Sequence, residues 1–211
     1  MKLSFKNEPE ARLFLEEELS DQFEIYSEVS VRHATFSHVN IRPDYVIVPK
    51  DREFRDLALA IEVKSMSMQT TPVVAKALKQ ASDYVLSRIN HDPRRKDGIN
   101  NHANKPIVAC FLFPAPEWHT EDSLRGVNDA EEIYKTGDQI FLSGMTHFAG
   151  YLRVGRALVS TRYRERTFVL SFGPNEVWVS SRGWRSNARN MLVGKRQIGS
   201  TRKDLADLLE L

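Results

Sequence analysis

The apolar positions of this chain change their period along its length, and each change marks an element. In residues 9–20, Ala11, Phe14, Leu15 and Leu19 recur at helical spacing, with Asn7 or Glu8 as cap and Pro9 in the first turn. Residues 22–32 alternate instead, Phe23 and Ile25 and then Val29 and Val31, which predicts a strand with an irregularity near Ser27. Residues 43–49 form a β-rich run bracketed by prolines. A polar connection, Lys50-Asp51-Arg52, leads to another strand over 57–64. Thr71-Pro72 then opens a helix whose stripe is Val74, Leu78, Ala81, Val85 and Ile89. A polar loop over 91–105 precedes the apolar run 107–113, which reads as a buried strand. The order is α-β-β-β-α-β.

Beyond residue 114 the periodicity weakens. Residues 121–135 read as helix, 139–143 and 150–160 as strands, and 163–180 as a hairpin turning at Gly173-Pro174-Asn175. Thr201 caps a short amphipathic helix whose stripe, Leu205, Leu208 and Leu209, suits a packing face. The expected organisation is a core over 1–115, with 116–211 a β-rich elaboration of the same domain.

Composition narrows the classes. A length of 211 residues suits one domain, and 41% hydrophobic with 27% charged residues excludes a fully disordered chain. No apolar run approaches the roughly 20 residues of a spanning helix. The N-terminal MKLSFKNEPE meets acid before an apolar segment develops, so no secretory signal is expected. The lone Cys110 sits in an apolar run and reads as a small buried hydrophobe, which points to a reducing, cytoplasmic setting. The glycines form no phosphate-cradling loop, so no ATP use is expected, and the histidines and cysteine show no zinc spacing.

Charge is segregated. The net charge is +2, yet Glu8 to Glu28 carries eight acids against one base, Arg12, and Ser181 to Lys203 carries seven bases and no acid. The basic stretch is either a solvated face or a surface for a polyanion. Its aromatics favour nucleic acid: Arg182, Arg185, Arg189, Lys195 and Arg196 would neutralise phosphates while Trp184 stacks on a base, with Trp178 assigned to the core.

Candidate chemistry lies at Arg42-Pro43-Asp44 and Glu62-Val63-Lys64. Strand alternation puts Leu57, Leu59, Ile61 and Val63 on one face and Ala58, Ala60, Glu62 and Lys64 on the other, with open space before the charged pair. If 43–49 and 57–64 form a hairpin, Asp44 at the start of one strand meets Glu62 near the end of its neighbour. Neighbouring carboxylates repel unless a proton or cation lies between them. Two carboxylates and a backbone carbonyl suit Mg²⁺ or Mn²⁺, and an adjacent ammonium can stabilise charge on a phosphate. The bland alternative is a Glu62–Lys64 salt bridge.

With its element order, this pattern resembles the PD-(D/E)xK nuclease superfamily. Gln80-Ala81-Ser82-Asp83-Tyr84 is similar to the Gln-x-x-x-Tyr signature of the RecB-type and lambda-exonuclease-like branch. The resemblance covers about residues 8–113. It implies a restriction-endonuclease-like α/β fold, a central mixed sheet flanked by helices, with catalytic residues Asp44, Glu62, Lys64, Gln80 and Tyr84. The implied metal ligands are Asp44, Glu62, the Val63 carbonyl and a first-helix glutamate, Glu10 ahead of Glu8. His33 or His38 would stand where some members of the branch add a histidine ligand. The implied activity is Mg²⁺- or Mn²⁺-dependent phosphodiester hydrolysis, on DNA rather than RNA, of a kind that serves a phage, mobile element or repair pathway. The alternatives are an RNA endonuclease with the same site and a non-cleaving nucleic-acid-binding protein. No membrane partner is implied; ring-forming relatives leave a homo-oligomer open.

Overall fold

The computed structural model describes residues 5–64, 71–114, 148–160, 163–172, 175–180, 183–186, 191–193 and 196–200. The helix and strands expected over 121–135 and 139–143 and the helix from Thr201 lie outside them.

The chain opens with α1 (Glu8–Leu19), and its start is set by side chains. Asn7 Oδ1 accepts from the Glu10 N–H at 3.0 Å, Pro9 fills the first turn, and Glu10 Oε2 reaches back to the Lys6 N–H at 2.6 Å. The alternating segment that follows is two strands, β1 (Phe23–Ser27) and β2 (Val31–Arg32). The break falls at Glu28, in the left-handed region at φ 50°, whose N–H goes to the Asp44 carbonyl at 3.0 Å. Next come β3 (Asn40–Ile41), β4 (Tyr45–Pro49), β5 (Ala58–Val63) and α2 (Thr71–Tyr84).

The second helix stops five residues short of the Ile89 that its stripe predicts. Leu86, at φ 65°, turns the backbone away, and its N–H bonds the Ile107 carbonyl at 2.7 Å. Ile89 passes into β6 (Arg88–Ile89). The polar loop after it contains a 3₁₀ turn, Ile99–His102, with Ile99 buried. The remaining strands are β7 (Ile107–Phe113), β8 (Ala149–Ser160), β9 (Tyr163–Phe172), β10 (Asn175–Ser180), β11 (Gly183–Ser186), β12 (Met191–Val193) and β13 (Arg196–Ser200). The expected hairpin is β9–β10, with Phe172 paired to Asn175.

Among the described residues, ten strands form one mixed sheet in the order β1-β4-β5-β7-β8-β9-β10-β11-β13-β12, and β3-β2-β6 form a small second sheet. β4 is antiparallel to β1 and β5, whereas β5, β7 and β8 run parallel. The crossover from β5 to β7 carries α2.

β5 is buried on both faces, and its residues divide between two cores. Leu57, Leu59, Ile61 and Val63 pack with Ala11, Leu15 and Leu19 of α1. Ala58 and Ala60 pack with Ala77, Ala81 and Tyr84 of α2 and with Val85 just past its end. The small face therefore admits a close helix and is not open space. Five strand spacings separate β1 from β9, about 24 Å in a flat sheet. Yet the rings of Phe23 and Phe168 are 5.8 Å apart, and Phe54 stacks on Trp184 at 4.6 Å. The sheet curls until its late strands close over the α1 core. Among the described residues, no helix is long and apolar enough to cross a membrane.

Candidate active site

Asp44 precedes β4 and Val63 ends β5; the register Tyr45↔Ile61 makes these ends neighbours. The Val63 N–H donates to Asp44 Oδ2 at 2.7 Å. Across the next peptide, the Lys64 N–H donates to the Phe113 carbonyl on β7 at 2.8 Å. A trans peptide points its C=O opposite to its N–H. The Val63 carbonyl, the expected backbone ligand, therefore faces away from β7 and toward the Asp44 side.

Glu62 lies on the α2 face and is 3% exposed. Burying its charge requires a partner, and Lys64 Nζ donates to Oε1 at 2.6 Å. Its other oxygen, Oε2, is buried and makes no hydrogen bond among the described residues. An idle oxygen on a buried carboxylate costs roughly 1–3 kcal/mol. Tyr84 comes down on this spot from α2. Its hydroxyl accepts from Gln80 Nε2 at 2.8 Å and donates to the Arg42 carbonyl at 3.1 Å. Burial and then the Glu62 charge raise the Tyr84 pKa, so the phenol stays protonated. The i, i+4 spacing of Gln80 and Tyr84 thus braces the chain just before Asp44.

Burial, followed by repulsion from Glu62, pushes Asp44 up to about 6, against the Val63 N–H and Arg12, which pull it down. Arg12 is the residue that the motif does not contain. It forms an ion pair with Asp44 Oδ1 and also bonds Glu8 at 3.1 Å and Glu28 at 3.3 Å. Burial opposes the Arg12 charge, but Asp44 and then Glu28 and Glu8 hold its pKa above the ordinary value. The sequence signal was helical phase. With Ala11, Leu15 and Leu19 facing the core, Glu8, Arg12 and Glu16 share the flank beside β4, where Glu16 also takes the Tyr45 hydroxyl at 2.7 Å.

The same phase corrects the choice of glutamate. Glu10 is exposed and engaged in capping, and the fold does not bring it to Asp44 and Glu62. Glu8 is the first-helix acid on the site side, joined to Asp44 through Arg12. His33 and His38 stand in the loop after β2: His33 Nδ1 accepts the N–H groups of Thr35 and Phe36, both at 3.1 Å, and the His38 ring packs on Phe36.

Among the described residues, no three His, Cys, Asp or Glu side chains come together. Among the described residues the donor set is therefore two carboxylates and a carbonyl. That fits a hard cation that keeps several waters, and the idle Glu62 Oε2 is the oxygen such an ion would satisfy.

In the C-terminal region, Trp184 is 7% exposed and lies between Phe23 and Phe54 in the core, so it offers no face to a base. Trp178 is half-buried, and its register partner on β11 is the exposed Arg185. Trp184 is thus the tryptophan in the core, and Trp178 is less buried than expected. Arg196 opens β13. Arg182, Arg189 and Lys195 lie outside the described residues.

Compared with protein-family models, with curated proteins and with solved structures, the chain matches none.

Proposed function

We propose that this protein is a divalent-metal-dependent nuclease of the PD-(D/E)xK type that hydrolyses phosphodiester bonds in DNA. The observation that carries the reading is the pair Asp44 and Glu62. It consists of two mutually repelling carboxylates, Asp44 half-buried and Glu62 buried with an unsatisfied oxygen, beside an ammonium at the mouth of a sheet. A fold keeps such a group at a cost in stability, and a cation site offsets that cost. The strand order β1-β4-β5-β7, with α1 on one face and α2 on the other, supports a restriction-endonuclease-like core.

In this reading Asp44, Glu62 and the Val63 carbonyl hold Mg²⁺ or Mn²⁺. Bound there, the cation supplies a water of lowered pKa and positive charge against the phosphoryl oxygens. Lys64 keeps its ammonium at the Glu62 edge, where it orients the attacking water and stabilises charge on the phosphate. Arg12 yields Asp44 Oδ1 and stays tethered by Glu8 and Glu28. Gln80 and Tyr84 hold the Arg42 carbonyl, and with it the approach to Asp44, in register.

A non-cleaving nucleic-acid-binding protein is the second reading, favoured by one observation: Arg12 already neutralises Asp44. Substitution separates the two. Lys64→Ala is expected to lower single-turnover cleavage by about 10²–10³-fold while leaving DNA affinity within a few-fold. Binding without cleavage in the unsubstituted protein, at any Mg²⁺ or Mn²⁺ concentration, would instead establish the binding protein.

A further inference from the structure

The small sheet β3-β2-β6 belongs to neither core's catalytic chemistry, yet it leads straight into the site. β3 ends at Ile41, Arg42 gives its carbonyl to Tyr84, and Asp44 follows. We propose that the β2–β3 hairpin is a substrate arm and that Phe36 at its tip is the platform on which an unpaired base of the DNA stacks. The inference rests on the nuclease reading and names where the strand leaving the site is held.

Phe36 is 55% exposed, and the tip is built to keep it so. The Val39 N–H donates to the Phe36 carbonyl at 2.8 Å and the His33 N–H to the Val39 carbonyl at 3.0 Å. His33 Nδ1 takes the Thr35 and Phe36 N–H groups, which fixes that ring as the Nε2–H tautomer. The imidazoles of His33 and His38 flank the phenyl ring at 5.2 and 6.5 Å. An exposed aromatic is ordinary on a flexible loop; here six backbone and ring contacts hold one ring out toward solvent.

The charge around the arm fits a polyanion. From Val29 to Pro43 there is no acid, while Arg32 and Arg42 are exposed and make no ion pair among the described residues. Arg32 and Arg88 are register partners on β2 and β6. Like charges directly opposite one another destabilise a sheet, and a phosphate between them reverses that sign. The arm is also anchored: Asn90 Nδ2 bonds Asn40 Oδ1 at 2.9 Å and Ser30 Oγ at 3.0 Å. Eight residues separate Phe36 from Asp44, at most about 28 Å of chain, which is shorter than one turn of DNA at about 34 Å. Base–aromatic stacking needs no particular sequence and gives affinity to any unpaired base.

The test uses the full chain carrying Glu62→Ala, so that binding is read without cleavage. Labelled single-stranded and duplex oligonucleotides, and single strands with 2-aminopurine at successive positions, are titrated at low salt. Phe36→Ala is expected to weaken single-strand binding by about five- to a hundredfold, to affect duplex binding less, and to abolish the 2-aminopurine quenching seen with the parent. Phe36→Trp should restore both. Because the ring is exposed, thermal unfolding of Phe36→Ala should match the parent. Unchanged affinity and unchanged quenching in Phe36→Ala would overturn the arm while leaving nuclease activity, measured separately with Mg²⁺ on the unsubstituted protein, intact. A larger loss on duplex than on single strand would overturn base stacking as its role. Failure of the parent to bind any oligonucleotide would overturn the arm and the nuclease reading together.

Discussion

Asp44 and Glu62 share one corner of the sheet, where Arg12 pairs with the first carboxylate and Lys64 with the second. The pH dependence follows. A cation on Asp44 competes with a proton whose pKa is about 6. Mn²⁺ affinity, measured by calorimetry, should therefore rise by about tenfold per pH unit up to 6 and level off above it. Stability of the metal-free protein has the opposite slope. The folded state holds the Asp44 proton more tightly than the unfolded chain, so this contribution is full below about pH 4 and is lost as pH rises through 6. The loss is on the order of 3 kcal/mol, and Asp44→Asn should flatten it in urea titrations run from pH 4 to 7. Arg12→Met removes a competing cation from Oδ1, so at pH 8 Mn²⁺ should bind several-fold more tightly than in the parent. Weaker binding in Arg12→Met would mean that the guanidinium assists the cation site.

At this scale the motif residues were legible because their spacing fixes their sides. Strand parity puts Glu62 and Lys64 together, and i, i+4 spacing puts Gln80 beside Tyr84. Glu10 stands away from the pair because Asn7-x-x-Glu10 is a capping pair, and a capping acid is turned back along its own backbone. Arg12 belongs to no motif; it is found only by asking which α1 residues share a flank with Glu8.

Between elements, the decisive feature is the Ala58–Ala60 face of β5, which lets α2 approach until Tyr84 reaches the site. Ala60→Leu should cost about 1–3 kcal/mol through overpacking and should also lower cleavage by displacing Tyr84. A stability loss with full activity would show that the helix position is not coupled to the site. The apolar runs made these strands legible, and helical periodicity found α2. Its end was not legible, because Ile89 keeps the helical period while the backbone turns at Leu86 to pair with β7. The two tryptophans show a similar limit. Val177, Val179 and Trp184 face the core only because β10 and β11 pair Val179 with Trp184, and that register belongs to the hairpin and not to either strand. Trp184→Ala should therefore cost about 3–5 kcal/mol in denaturant titrations, whereas Trp178→Ala should cost much less.

Over the whole molecule, the sheet curls far enough that Phe23 of β1 meets Phe168 of β9, so the N-terminal core and the late strands share one interior. The sequence contains every strand of that interior and nothing that announces its closure, because curvature accumulates over many strand pairs. The opposite charges of the two chain ends were legible; their placement was not. DNA held by basic side chains should show a steep salt dependence, with log Kd rising linearly in log salt. A salt-independent affinity would exclude a phosphate-led interface.

The central claim is that Asp44, Glu62 and Lys64 form a metal-dependent hydrolytic site. Labelled single-stranded DNA, duplex DNA and RNA, each incubated with Mg²⁺, Mn²⁺ or EDTA, test it most directly, beside a protein carrying both Glu62→Ala and Lys64→Ala. The account predicts that the unsubstituted protein cleaves DNA with metal, that EDTA abolishes cleavage, and that the doubly substituted protein is inactive though folded. Equal cleavage by both proteins, or none by the unsubstituted protein with either metal, would contradict it.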